Sequence, residues 1–252
     1  DVVEVLGKKD EHRVEMNSII LENGFRTRFP EEAQNEAHGI EKEHGTTIEK
    51  EASKRRDFRD IVTFTIDPKD AKDFDDALSL RALEDGTYEV GVHIADVTHF
   101  VRPHMDLEEE AKRRATSVYL VDATLPMLPE ELSGNVCSLR EGEDRLTFSA
   151  IFKVDKNGNV LAREFAKTII NSNKRFTYEE AQGVLDAKKG LHFKELSLLM
   201  EIGMCFKDKR VQEGAIEFDQ DEVKFELDTN GKPLRAFRKK RIPTMMMIEE
   251  WM

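Results

Sequence analysis

Five aspartates stand within ten residues in the segment Thr65-Ile66-Asp67-Pro68-Lys69-Asp70-Ala71-Lys72-Asp73-Phe74-Asp75-Asp76-Ala77. The run is almost purely acidic at its end. It interrupts an apolar pattern, between the strand Ile61–Ile66 and the strand-like Ala77–Leu80. Two unit charges about 4 Å apart repel by about 4 kcal/mol at an effective dielectric of about 20, so a folded cluster of this kind calls for a cation. Oxygen ligands alone favour a hard ion, magnesium or manganese, over zinc. An EF-hand calcium loop does not fit: counted from Asp67, Lys72 stands where glycine is required and Leu78 where the bidentate glutamate belongs. From the residues alone, a metal site and a solvated acidic loop both remain open, since most charge runs are solvated faces.

The elements that must position this segment are written in turn chemistry and periodicity. Three residue pairs suited to type I′ turns, Asp85-Gly86, Asn157-Gly158 and Asn230-Gly231, follow or join strand-like stretches. Tyr88, Val90, Val92 and Ile94 share one face of the strand after the first. Phe148, Ala150, Phe152 and Val154 alternate before the second, as do Val223, Phe225 and Leu227 before the third. Helices are expected over Leu107–Arg114 with Asp106 as N-cap, after the capping box formed by Thr177 and Glu180, and from about Leu196 to Glu213. The fold class is α+β, a mixed, largely antiparallel sheet with packed helices. Residues 1–24 read as a short strand (Val2, Val3, Val5, Leu6), a turn at Gly7 and an amphipathic segment. Residues 25–57, dense in charge, read as a linker or solvated helix, and the main domain runs over 58–252.

The chain has 252 residues, 39% hydrophobic and 36% charged, enough apolar material for a core. No apolar run is long enough to cross a bilayer, and the N-terminal residues do not read as a signal peptide, so no membrane association is expected. Cys137 and Cys205 are the only two cysteines and lack metal-type spacing, which suits reduced thiols in a cytoplasmic protein. His93, His99 and His104 fit no common zinc site; His93, on the strand face opposite Val92 and Ile94, reads as a hydrogen-bonded structural residue. Asp96 either supports the acidic site from behind or simply ends a strand. The net charge of −12 argues against a phosphate-binding protein. That argument is blunted because a metal-dependent nuclease concentrates carboxylates at its centre, and because basic residues cluster at Lys112–Arg114 and Arg235–Arg241.

Phe64–Leu80 resembles the signature of the catalytic domain of the ribonuclease II/ribonuclease R family, the RNB domain. Val92-His93-Ile94-Ala95-Asp96-Val97, Pro126-Met127-Leu128-Pro129 and Leu132–Leu139 continue the likeness. Arg175-Phe176-Thr177-Tyr178, Gly214-Ala215-Ile216-Glu217-Phe218 and Ile248-Glu249-Glu250 follow in the family's order. Residues 1–24 look like the tail of the cold-shock-like OB domain that precedes the catalytic one.

The resemblance implies a magnesium-dependent 3′-to-5′ exoribonuclease, with manganese able to substitute. Such an enzyme hydrolyses single-stranded RNA to nucleoside 5′-monophosphates by a two-metal mechanism. Carried over residue by residue, the metal ligands are Asp67, Asp73, Asp75 and Asp76, while Asp70 is not among the family's four. Tyr178 lies near the scissile phosphate, Tyr119 helps clamp the terminal bases, and Phe225 offers the opposing stacking surface. The resemblance implies RNA as partner and no protein partner. Family members continue beyond Met252 with an arginine-bearing motif and an RNA-binding S1 domain, so the chain reads as a fragment that is weak or inactive alone. The alternative is a non-catalytic RNA-binding or regulatory member of the same fold, and behind it stands an acidic cation-binding module without RNA.

Overall fold

A computed structural model describes residues 5–8, 11–121, 123–216, 222–228 and 233–252. In chain order come α1 (His12–Glu22), α2 (Glu31–Ala52), β1 (Arg56–Asp57), β2 (Thr63–Asp67), β3 (Asp76–Ala82) and β4 (Tyr88–Ala95). There follow α3 (Val97–Phe100), α4 (Asp106–Arg114), β5 (Val118–Tyr119), β6 (Thr124–Leu125) and a π-helical turn, Leu132–Val136. Then come β7 (Asp144–Val154), β8 (Val160–Asn171), β9 (Lys174–Thr177), α5 (Tyr178–Ala187) and α6 (Phe193–Gln212). The last elements are β10 (Val223–Leu227), β11 (Pro233–Arg238) and α7 (Pro243–Trp251). They form two compact units: one of Asp1–Gly39, Val101–Glu130 and Asp219–Lys240, the other of Ile40–Phe100, Glu131–Phe218 and Arg241–Met252.

The larger unit is built on a seven-stranded sheet in the order β1-β8-β7-β4-β3-β2-β9. Its centre is antiparallel, and β1 and β9 join its edges in parallel to β8 and β2. The hairpins expected around Asp85-Gly86 and Asn157-Gly158 are β3–β4 and β7–β8. One sheet face carries Phe64, Ile66, Leu78, Leu80, Val90 and Val92, buried against α5, α6 and α7 through Ala181, Leu196, Leu199, Ile202, Met247 and Trp251. The indole of Trp251 donates to the carbonyl of Leu199 at 2.9 Å, so its one polar group is satisfied inside this core.

Because side chains alternate across a strand, the other face is a second register of the same residues, and here it is polar. Thr63, Thr65, Ser79, His93, Thr147, Ser149 and Thr168 are all buried on it. The hydroxyls of Thr147 and Thr168 lie 2.6 Å apart. Arg55 reaches the carbonyls of Thr147 and Thr168 at 3.2 and 3.5 Å and pairs with Asp96 at 2.7 Å. Buried polar groups generally find partners; here Ser79, His93, Ser149, Thr147 and Thr168 bond in pairs across β3, β4, β7 and β8, while Thr65 Oγ1 is left without a partner.

The smaller unit holds α1, α4 and the hairpins β5–β6 and β10–β11. Arg114 lies 3.8 Å over the Phe29 ring and bonds Glu110 at 3.1 Å. Helix α4 begins at Asp106, so its N-cap position is Met105, without a side-chain cap, and Asp106 instead sits in an acidic first turn that favours the helix dipole. Val5 and Leu6 take no strand, and Val2 and Val3 lie outside the described residues, as does the Asn230-Gly231 turn between the paired β10 and β11. Of the two readings of residues 25–57, helix holds for Glu31–Ala52: α2 buries Ala33, Ala37 and Ile48, a seam too small to stand out among so many charges.

Candidate active site

Strand β2 ends at Asp67 and β3 begins at Asp76, so the acidic run is a loop that leaves and re-enters the sheet at the same end. Asp67 pairs in register with Thr177 on β9, and Asp76 with Ile94 on β4. The outer aspartates are therefore strand residues with fixed backbones, whereas Asp73 and Asp75 belong to the loop, which Ala95 N–H anchors by donating to the Asp75 carbonyl at 2.9 Å. Asp70 is exposed on the same loop.

Burial and mutual repulsion act together on these carboxyls. Asp67 is 7% exposed and is pushed up to about 7, by desolvation first and then by the charges of Asp76 and Asp73, with Thr65 and Arg175 pulling the other way. Asp76 is raised to about 6 by desolvation and by Asp75. Asp75 is exposed along part of its surface, yet its carboxyl is also raised, by the protein packed around it and by Asp73. Three buried polar atoms here have no hydrogen-bond partner: Thr65 Oγ1, Asp67 Oδ2 and Arg175 Nε.

An unpartnered buried carboxylate oxygen amid other carboxylates is the environment a cation relieves. The donors are all oxygen and suit a hard ion. Among the described residues, no three His, Cys, Asp or Glu side chains are already gathered as a ligand set. The donor chemistry of Asp67, Asp73, Asp75 and Asp76 thus fits a divalent ion, and completing a ligand set would require the carboxylates to converge further.

Tyr178 is the first residue of α5, and the capping box expected there is present. The Thr177 hydroxyl accepts from Glu180 N–H at 3.0 Å, and the Glu180 carboxylate accepts from Thr177 N–H at 2.8 Å. That box fixes where the helix starts, and so where the half-buried Tyr178 side chain leaves the backbone. Its hydroxyl is pushed up to about 12 by burial and by the charges of Asp76, Asp67 and Glu249. The structure therefore brings Tyr178 into the field of two of the four aspartates. Tyr119 on β5 and Phe225 on β10 belong to the other unit, where they are 69% and 46% exposed.

Histidine 93 is fully buried and spans two hydroxyls, Ser149 at 2.6 Å and Ser79 at 2.8 Å, which is the hydrogen-bonded structural role read from its strand position. Asp96 directly follows β4, takes the Arg55 ion pair and accepts from Thr98 Oγ1 at 3.1 Å. Three residues around the loop escaped the reading of sequence as site members: Arg175, Ser138 and Glu249. Each lies inside a family-like motif, which is the only signal that pointed near them.

The chain matches the RNB domain over residues 55–252. It is 40% identical to the DIS3-like exonuclease 2 of Schizosaccharomyces pombe, covering 99% of this chain and 28% of that protein. It is also 40% identical to the ribonuclease R of Thermotoga maritima, covering 100% of this chain and 36% of that one. Among solved structures, Mycoplasma genitalium RNase R in complex with ribose methylated single-stranded RNA superposes with a TM-score of 0.87 at 25% identity, over 99% of this chain and 39% of that chain. The chain therefore spans well under half the length of these relatives.

Proposed function

Because the chain belongs to the RNB-domain family, we propose that it carries the metal-binding half of a magnesium-dependent 3′-to-5′ exoribonuclease that degrades single-stranded RNA to nucleoside 5′-monophosphates. The observation that carries this reading is the buried, unpartnered Asp67 Oδ2 beside Asp76, both carboxyls raised, with the Tyr178 hydroxyl in the same field. Asp67, Asp73, Asp75 and Asp76 would hold the ions, with manganese able to replace magnesium. Two bound ions would polarise the phosphodiester and make a nucleophile of water at neutral pH.

The protein's own groups supply position and hydrogen bonding. Asp67 and Asp76 are anchored by strand pairing, so binding need not order their backbones. Tyr178, its hydroxyl kept protonated by a pKa of about 12, is a hydrogen-bond donor for a phosphate oxygen brought against the aspartates. The exposed faces of Tyr119 and Phe225 suit base stacking, worth about 1–3 kcal/mol per base and indifferent to sequence.

Manganese titration of the chain and of an Asp75→Asn/Asp76→Asn variant, followed by calorimetry, tests the site without requiring turnover. Binding that is lost in the variant supports the reading, and equal binding by both sinks it. A binding-only member of the fold is the second reading, favoured by the absence of a pre-gathered ligand set among the described residues. That reading predicts oligoribonucleotide binding that ignores added manganese.

A further inference from the structure

Ser138 and Arg175 hold the aspartate loop from two sides. The Ser138 hydroxyl, fully buried, donates to the Lys72 carbonyl at 3.0 Å and accepts from Phe74 N–H at 3.0 Å. It therefore closes a backbone bracket around the single residue between them, Asp73. The next residue continues the seam, with Leu139 N–H donating to the Phe74 carbonyl at 2.8 Å. The segment after the π-helical turn thus templates the loop as an added strand would, while one hydroxyl does the work of a donor and an acceptor.

Arg175 grips the other side. Its Nη2 donates to the carbonyls of Pro68 and Lys69 at 2.5 and 3.1 Å, the first two residues past Asp67. The same guanidinium lies 5.3 Å from the ring centroid of Phe74, one residue before Asp75. Its own backbone is steadied by Glu141, whose carboxylate accepts from Arg175 N–H at 2.9 Å. One planar cation therefore touches both ends of the loop, and a lysine, whose ammonium could bond the same two carbonyls, has no flat face to lay against Phe74.

We infer that Ser138 and Arg175 are positioning residues for the metal site, setting Asp73 and Asp75 relative to the strand-borne Asp67 and Asp76. This rests on the metal-binding reading above. Neither side chain needs to touch the ion. The loop has no strand pairing of its own between Pro68 and Asp75, so these contacts, together with the Ala95 N–H bond to the Asp75 carbonyl, set how its backbone presents the carboxylates. Groups that orient ligands in this manner are commonly worth about 10- to 100-fold in metal affinity.

The test compares the chain with Ser138→Ala, Arg175→Lys and Ser149→Ala, the last removing an equally buried hydroxyl that bonds His93 rather than the loop. Manganese affinity is read by calorimetry, and amide hydrogen exchange is read in chelator. Ser138→Ala and Arg175→Lys should each weaken manganese binding about 10- to 100-fold and speed exchange at loop amides, with Ser149→Ala close to the parent in both. Unchanged affinity in the first two, or an equal loss in Ser149→Ala, overturns the inference. If the parent itself takes up no manganese, the metal reading falls. In that case exchange still judges the loop frame, which fails if Ser138→Ala leaves loop protection intact.

Discussion

Gly91 and His93 share one face of β4, and the imidazole of His93 lies over the space that a side chain at Gly91 would need. A Cβ at Gly91 would stand 2.5 Å from His93 Nε2 and 2.5 Å from Ser79 Oγ. The ring uses that opening to bridge Ser149 on β7 and Ser79 on β3, tying together the three strands whose end carries Asp76. Glycine is required here for close approach, not for an unusual backbone angle.

Gly91→Ala should therefore destabilise the protein by about 1–3 kcal/mol, the usual range for overpacking a filled interior. Urea denaturation gives the number directly. A loss below about 0.5 kcal/mol, within the ordinary scatter of harmless substitutions, would mean that the His93 bridge is not where it is described.

His93 also sets a pH dependence. Burial holds its pKa down to about 3, while in the unfolded chain it titrates near about 6.5. As pH falls between those values the unfolded state takes up a proton that the folded state refuses, so stability is lost, at up to about 1.4 kcal/mol per pH unit. Asp67 and Asp76, raised to about 7 and about 6, act in the opposite sense in the metal-free protein, gaining stability as pH falls through their folded values. The comparison that isolates the histidine is with His93→Gln, in which the carboxylates cancel. Between about pH 6 and 4.5 the parent should lose stability more steeply than the variant, and parallel curves would count against a neutral buried imidazole.

At the start of α5, Thr177→Ala removes one side of the capping box and should cost about 1 kcal/mol, with Thr177→Ser nearly neutral. Thr177 lies opposite Asp67 in the sheet and directly precedes Tyr178, so fraying this turn also loosens the tyrosine. With Tyr88 and Tyr119 replaced by phenylalanine in both proteins, so that Tyr178 is the one tyrosine left, tyrosine fluorescence quenching by acrylamide should rise in the alanine variant. A stable variant with unchanged quenching would show that the box does not set the tyrosine's position.

How much of this was legible without tertiary structure follows from the range of the interactions involved. Turn pairs, strand alternation and the Thr177–Glu180 box act over a few residues, and the hairpins, the helix starting at Tyr178 and the helix ending near Gln212 were readable from them. The acidic run was readable as a place where charge had to be compensated, and the order of motifs around it was readable as a family likeness. The helix assignment for Glu31–Ala52 stayed open because its buried seam is made largely of alanines, which carry little hydrophobic signal among glutamates and lysines. Asp106 read as a cap because the local pattern could not register the one-residue offset to Met105.

What required the folded chain was everything governed by desolvation and by contacts distant in sequence. The type of Asp67 is written in the chain, but its pKa of about 7 is not, because that value depends on which groups bury it and which charges face it. His93 finds hydroxyls 14 and 56 positions away, and the loop is bracketed by Ser138, 64 and 66 positions from its partners, and by Arg175, 106 and 107 from its own. Sequence determined which residues could bind a cation and where the hairpin turns and the start of α5 fall. Only the tertiary structure decided which carboxylates lose their water and what holds them there, since solvation and long-range hydrogen bonds are properties of an assembled neighbourhood and not of a local stretch of chain.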